Sequence, residues 1–250
     1  MTTSVIIPLY YRSVNPILYN KHVILVIDKP KNWTSFDVVA KLKGQLKVKK
    51  IGHSGTLDPL ATGVLVVLTD EDTKKQDQIM KNDKEYVAEV SFNLYSPTLD
   101  LEQIPQKSES LITLAELKNK LPLALPNYLG EIVQEIPMYS AKKVNGKPLY
   151  KIARQNPLGT EQNIKPFTKL ITIYEIEILD YFEKQLESLD GTYLSPTVKI
   201  KVTCTSGTYI RTLAKDLGET LGTKAVLSDL IRTRVGEYNL ESAKTLIPLS

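Results

Sequence analysis

The stretch Gly52-His-Ser-Gly-Thr-Leu-Asp-Pro-Leu-Ala-Thr-Gly-Val-Leu-Val-Val-Leu68 joins two kinds of sequence. Val64 to Leu68 is an unbroken apolar run, the pattern of a strand buried on both faces. The residues before it include glycines at 52, 55 and 63, and Asp58, the only carboxylate between Asp37 and Asp70. Gly52 and Gly55 permit turns that other residues resist and allow a ligand close to the backbone. Pro59 drives Asp58 toward an extended conformation. The result is a carboxylate on a stiff loop leading into a buried strand. Taken alone, such an Asp reads first as a turn residue accepting backbone hydrogen bonds. The second reading is a positioned nucleophile or base.

Upstream, Val23 to Ile27 is a short apolar run closed by Lys29-Pro30, consistent with a buried strand. Thr34 then opens a helix, and Asp37 three residues on completes an acidic variant of the capping box. Val38, Val39, Leu42 and Leu46 form its apolar face, and Lys41, Lys43 and Lys47 its basic one. Downstream, Tyr86, Ala88, Val90, Phe92 and Leu94 alternate as one face of a strand, so Tyr86 points inward or into a cleft. Helices are expected at Leu111–Leu121 and at Thr208–Leu221, the second ended by Gly222. Another short helix is expected at Ala225–Ile231. Strands are expected at Leu170–Leu179 and Thr197–Thr205. Strands and helices that do not strictly alternate indicate a mixed α+β fold. No internal repeat is visible.

The 250 residues suffice to bury a sizeable core. With one cysteine, Cys204, no internal disulfide can form, so a reducing compartment is expected. Two histidines and one cysteine argue against a structural zinc site. No apolar run reaches the ~18 residues that span a bilayer. Residues 1–16 are mildly apolar but show no basic region followed by an apolar one, so they read poorly as a signal peptide. The net charge is only +4 but unevenly spread: eight lysines against two acids between Lys21 and His53, and five basic residues with no acid between Lys142 and Arg154. Two basic blocks on a near-neutral chain suggest a localised anion-binding face or simply solvated lysine-rich surface.

Several further residues carry two readings. His53, with no ligand partners nearby, is a packing residue or a group that supports RNA geometry. Tyr86 is core or a ring that stacks on a base. Arg211 would lie in the first turn of its helix, where the helix dipole opposes a cation by about 0.3–1 kcal/mol. A buried ion pair with a carboxylate, or a bound phosphate, would offset that cost; otherwise the side chain reaches solvent. Lysines interleaved with Tyr139 and Tyr150 in Pro137–Tyr150 are typical of RNA-contacting surfaces, though not specific to them.

Together these pieces resemble the TruB-type tRNA pseudouridine-55 synthase family. The matching blocks are Asp28-Lys-Pro30 with Thr34-Ser35, Lys50 to Leu65, Pro137 to Arg154, and Ser206-Gly-Thr-Tyr-Ile-Arg-Thr-Leu213 through Arg232-Thr-Arg-Val-Gly236. The resemblance spans roughly residues 23–243. It implies the pseudouridine synthase fold, a largely antiparallel sheet with flanking helices. It implies that Asp58 is the essential carboxylate of an enzyme that cleaves the ribose–uracil bond at uridine 55, turns the base and reattaches it through carbon. Arg211 would pair with Asp58 and keep it ionised, and Tyr86 would stack on the flipped uracil. His53 would support the disrupted T-loop, with Gly55 and Thr56 also in the substrate-binding loop. Lys29 and Pro30 would support the pocket, and Tyr209 and Leu230 would line it. Lys142, Lys143 and Lys147 would contact RNA.

The resemblance implies no cofactor, because the isomerisation is redox-neutral, and no metal. The expected partner is the T-arm of tRNA, bound by a cytoplasmic monomer. Residues 1–20 are expected to be an extension and 21–250 the catalytic domain, without a C-terminal PUA-type domain. Three places depart from the family pattern: Asp70 stands where a glycine is usual, Ile136 replaces the first proline of a pair, and Ser96-Pro-Thr-Leu-Asp100 replaces a Thr-Asp-Thr-rich loop. They are expected to bear on RNA affinity more than on chemistry.

Overall fold

The computed structural model describes residues 23–144, 146–155 and 167–246. The expected extension, residues 1–20, lies outside them. In chain order the main elements are β1 (Ile24–Lys29), α1 (Ser35–Leu46), β2 (Ile51–His53), β3 (Thr62–Thr69), α2 (Gln76–Met80), β4 (Lys84–Phe92), α3 (Leu114–Ala124) and β5 (Gly130–Glu135). There follow α4 (Leu149–Gln155), β6 (Thr168–Ser188), β7 (Gly191–Cys204), α5 (Ile210–Thr220), β8 (Ala225–Val235) and β9 (Lys244–Thr245). The fold is mixed α+β with mostly antiparallel strand pairing, as expected. Among the described residues no helix is long and apolar enough to cross a membrane. The chain divides into two compact units, one formed by residues up to Glu85 and from Ile231, the other by Tyr86–Leu230.

In the first unit the strand order is β9-β1-β3-β8, with β2 also on β3. β1 runs antiparallel to β3, from Ile24 opposite Leu68 to Lys29 opposite Gly63. β8 joins β3 in parallel through Ile231 opposite Thr62 and Arg232 opposite Gly63. The run Val64–Leu68 is wholly buried because both faces of β3 are covered. Leu65 and Val67 pack with Ile27, Val38, Val39 and Leu42. Val64, Val66 and Leu68 pack with Ile79 and Val235. Each of these side chains contributes about 1.5–3 kcal/mol by leaving water. The capping box forms as read: Thr34 N–H donates to Asp37 Oδ2 at 2.8 Å and Asp37 N–H to Thr34 Oγ1 at 3.1 Å. The Thr34 hydroxyl, which donates to Asp37 Oδ2 at 2.7 Å, and then the Thr34 N–H hold the Asp37 carboxyl below the ordinary carboxylate range.

In the second unit the order is β8-β4-β7-β6-β5. Tyr86, Ala88, Val90 and Phe92 are buried on β4, as their alternation requires. β6 and β7 form a long antiparallel hairpin closing at Ser188 opposite Gly191. Val198, Ile200, Val202 and Cys204 face its buried side.

Some expectations need correction. Ala225–Ile231 is not a helix but the first part of strand β8. Its apolar spacing fits either period, and pairing with strands distant in sequence decides for the sheet. The expected strands 170–179 and 197–205 are parts of longer ones, because the acidic segment pairs with β7 from Glu175 to Ser188, with a register shift between Ile178 and Asp180. α3 starts at Leu114, since Thr113 and Glu116 form a capping box there, and it continues through Pro122 to Ala124. α5 starts at Ile210 with Tyr209 as N-cap, because the Thr208 hydroxyl donates back to Thr205 O at 2.9 Å. Gly222 follows α5 with φ +77°, the left-handed stop expected of it.

Candidate active site

In the first unit the loop between β2 and β3 is tied down at almost every residue. Ser35, at the start of α1, donates to Leu57 O at 3.0 Å and accepts from Leu57 N–H at 2.9 Å. Leu57 and Ala61 are themselves buried and anchor the loop on its apolar side. Pro59 O accepts from Asn32 N–H at 2.8 Å, and Asp58 O accepts from Ala61 N–H at 3.0 Å. Gly63 N–H donates to Asp28 Oδ1 at 3.1 Å. Asp58 itself is half-buried.

Two buried cations tie the loop that carries Asp58. Lys29 is fully buried, and its Nζ donates to Pro30 O at 2.9 Å, Trp33 O at 2.6 Å and Pro59 O at 3.4 Å. Burial pushes the Lys29 amine down to about 8; the Asp58 charge opposes that shift and the Arg232 cation adds to it. Arg232, 2% exposed, donates from Nε to Val64 O at 2.8 Å, from Nη1 to Thr56 O at 3.4 Å and from Nη2 to Gly55 O at 3.1 Å. Gly63 makes this reach possible: a Cβ there would sit 2.3 Å from Arg232 O, so only glycine admits the β8 backbone. Gly55, at φ +108°, turns its carbonyl to the guanidinium in a conformation that favours glycine. His53 is half-buried, and burial followed by the Arg232 charge lowers its pKa, so the ring is neutral at pH 7. Thr56 is exposed. The expected residues Lys29, Pro30, His53, Gly55, Thr56 and Asp58 are thus brought together in one unit.

The second unit holds Tyr86, Tyr209, Arg211 and Leu230. Tyr86 is 8% exposed and Leu230 is 7% exposed, on the neighbouring strands β4 and β8. The guanidinium of Arg211 is buried and gives the cation its compensation. Nε lies 3.7 Å from Asp100 Oδ2, while Nη1 donates to Thr98 O and Nη2 to Tyr139 O, both at 2.9 Å. Of the two offsets the sequence allowed, the carboxylate is the one present. It comes from the departing segment Ser96–Asp100, which therefore bears on this arginine and not on RNA affinity alone. Tyr209, the N-cap, is clamped by Gln134: its N–H donates to Gln134 Oε1 at 2.8 Å, and its carbonyl accepts from Gln134 Nε2 at 3.1 Å. Lys142, Lys143 and Lys147 are exposed on a small hairpin in which Lys143 pairs with Pro148. Lys169 Nζ donates to Ser206 O at 2.7 Å, and burial together with the Lys142 charge lowers its pKa.

Arg232, Asp100 and Gln134 were given no role in the sequence reading. Arg232 left a faint signal, as part of the Arg232-Thr-Arg-Val-Gly236 block that carries the resemblance. Asp70 is explained by its surroundings. At φ +44° it occupies the backbone region where glycine is usual, and its Oδ1 accepts from Lys49 and Lys50 N–H, each at 3.0 Å.

The family model of TruB pseudouridylate synthases, N-terminal domain, matches residues 43–210, and that of the tRNA pseudouridylate synthase B C-terminal domain matches residues 211–250. The chain belongs to the TruB family. Members are pseudouridylate synthases, isomerases that convert uridine in RNA to pseudouridine. Among TruB relatives, tRNA pseudouridine synthase B of Protochlamydia amoebophila is 42% identical over 221 residues, covering 88% of this chain and 76% of that protein. That of Bacteroides fragilis is 43% identical over 225 residues, covering 87% of this chain and 88% of the relative. Among solved structures, a Cbf5-Nop10-Gar1 complex aligns with TM-score 0.62 at 27% identity over 90% of this chain. An H/ACA ribonucleoprotein bound to a substrate RNA containing 2'-deoxyuridine aligns with TM-score 0.60 at 25% identity, also over 90%. This chain spans about half the length of those two solved chains, 52% and 51%.

Proposed function

We propose that the protein isomerises uridine 55 in the T-loop of tRNA, with Asp58 as the essential carboxylate. The observation that carries this reading is the loop itself: a carboxylate on a rigid turn whose backbone the buried cations Lys29 and Arg232 hold at Pro59, Thr56 and Gly55. Asp58 acts either as nucleophile on the ribose or as base toward a ribose proton, and both roles need a carboxylate held in one place. The uridine has to leave its stack, which costs a few kcal/mol, and be held by aromatic or apolar groups. Tyr86 takes the stacking role, and Tyr209 and Leu230 line the pocket. His53, neutral at pH 7, supports the opened loop of the RNA without competing for Asp58 as a cation. The partner is the tRNA T-arm, the enzyme acts as a monomer in the cytoplasm, and no cofactor enters the isomerisation.

The test is to map pseudouridine in tRNA transcripts treated with the purified protein. Pseudouridine at position 55 is expected with wild type, and Asp58→Asn should slow its formation by at least about 10³-fold with tRNA affinity retained. Undiminished modification by that variant would end the assignment of Asp58, and free uracil released from the RNA would mark a glycoside hydrolase instead. Charge reversal at Lys142, Lys143 and Lys147 should weaken binding and reduce the salt slope by about 2–3. An unchanged slope would remove this hairpin from the interface.

A further inference from the structure

We infer that Arg232 is a positioning residue for pseudouridine formation, the side chain that sets where Asp58 stands. The inference rests on Asp58 being the reacting carboxylate, and it adds a residue that does not touch the RNA. Three observations carry it. Arg232 is almost wholly buried, and its three hydrogen bonds all end on carbonyls of the one segment that runs from Gly55 through Asp58 to Val64. Its Nε bond fixes the strand just after the loop, and its two Nη bonds fix the residues just before Asp58. A single rigid fork thus spans both sides of the carboxylate, which a flexible ammonium or an amide could not do.

Gly63 supplies the second observation. Its φ of +97°, and a neighbouring strand so close that a Cβ would meet Arg232 O at 2.3 Å, make the β3–β8 crossing specific for glycine. The backbone there is shaped to bring Arg232 in. The third is the kind of acceptor Arg232 takes among the described residues. The hydrogen bonds of Arg232 go to carbonyls rather than to a carboxylate, so its charge is available to the field around Lys29 and His53, both of which it pushes toward the neutral form. A mere structural cation would more economically be paired with an acid or replaced by an apolar side chain. Here the fork holds the loop, and the loop holds Asp58.

The experiment compares wild type with Arg232→Lys and Arg232→Gln on tRNA transcripts. It measures tRNA affinity, the single-turnover rate at saturating tRNA, and thermal melting. The expected result is a split: folded variants that bind tRNA within about threefold of wild type but react about 100-fold more slowly for Gln, with Lys in between, as expected for a reacting group displaced by ~1 Å. Hydrogen exchange at the amides of residues 55–58 should rise in both variants. Folded variants with rates near wild type would overturn the inference. So would failure of both variants to fold, or a loss of rate that follows only the loss of affinity, since each would make Arg232 a fold residue. An inactive wild type would instead overturn the functional reading above. An active wild type whose Asp58→Asn variant is dead, together with fast Arg232 variants, would overturn this inference alone.

Discussion

Arg232 and Arg211 are both buried arginines, 2% and 5% exposed, and their surroundings differ in kind. Arg232 donates to carbonyls of the Asp58 loop. Arg211 donates to carbonyls too, but also stands 3.7 Å from Asp100. Carbonyls fix the shape of a backbone while leaving a cation's charge in place. A carboxylate neutralises it. The first unit therefore uses its arginine to hold a loop in a positive surrounding. The second unit moderates the charge of an arginine that the first turn of a helix disfavours. Lys29 follows the pattern of Arg232, with three carbonyl acceptors and no acid among its hydrogen-bond partners.

The sharpest way to break this contrast is to remove Arg211. Arg211→Met leaves Asp100 buried without its cation and should destabilise the protein by about 3–5 kcal/mol, with part recovered in the double variant with Asp100→Asn. Urea unfolding of the three variants checks it; full additivity would show that the pair does not interact. The loop glycines come next. Gly63→Ala drives a methyl group into Arg232 O and should cost about 2–3 kcal/mol, whereas Gly55→Ala, with nothing nearer than 3.7 Å, should cost about 1 kcal/mol for its positive φ alone. Equal losses would mean the close crossing relaxes freely.

The remaining effect is electrostatic. The Lys29 amine titrates near 8 in the fold against 10.5 for an ordinary lysine. Its burial therefore opposes folding while it is charged in both states, below about 8, and this opposition fades as pH rises toward 10.5. Relative to Lys29→Met, wild type should gain about 2–3 kcal/mol between pH 7 and pH 10. Urea melts of both proteins at the two pH values measure it. No relative gain would mean Lys29 keeps an ordinary amine.

Much of this molecule was legible before any coordinates. The capping box at Thr34, the continuous run into Leu68 and the alternation from Tyr86 each depend on neighbours within a few residues, and each is present as read. Asp58 was visible as a lone carboxylate in a glycine-rich loop, although its turn and reactive readings separated only through resemblance. What escaped was set at long range. Ala225–Val235 is a strand because β3 and β4 lie beside it, while its own spacing suits a helix equally well. Asp100 carried no local sign that it would meet Arg211.

The sequence by itself determined the local grammar: where helices begin, which strands are buried on both faces, and which loop carries the carboxylate. Those features follow from hydrophobic period, caps and backbone preference, which act over one or two turns of chain. Only the tertiary structure decided the partners of the buried charges. Arg232 reaches Val64 across 168 residues of chain, and Arg211 reaches Thr98 across 113. A cation's acceptor is chosen by which backbone arrives beside it, and that is a property of the packed sheet rather than of any segment within it.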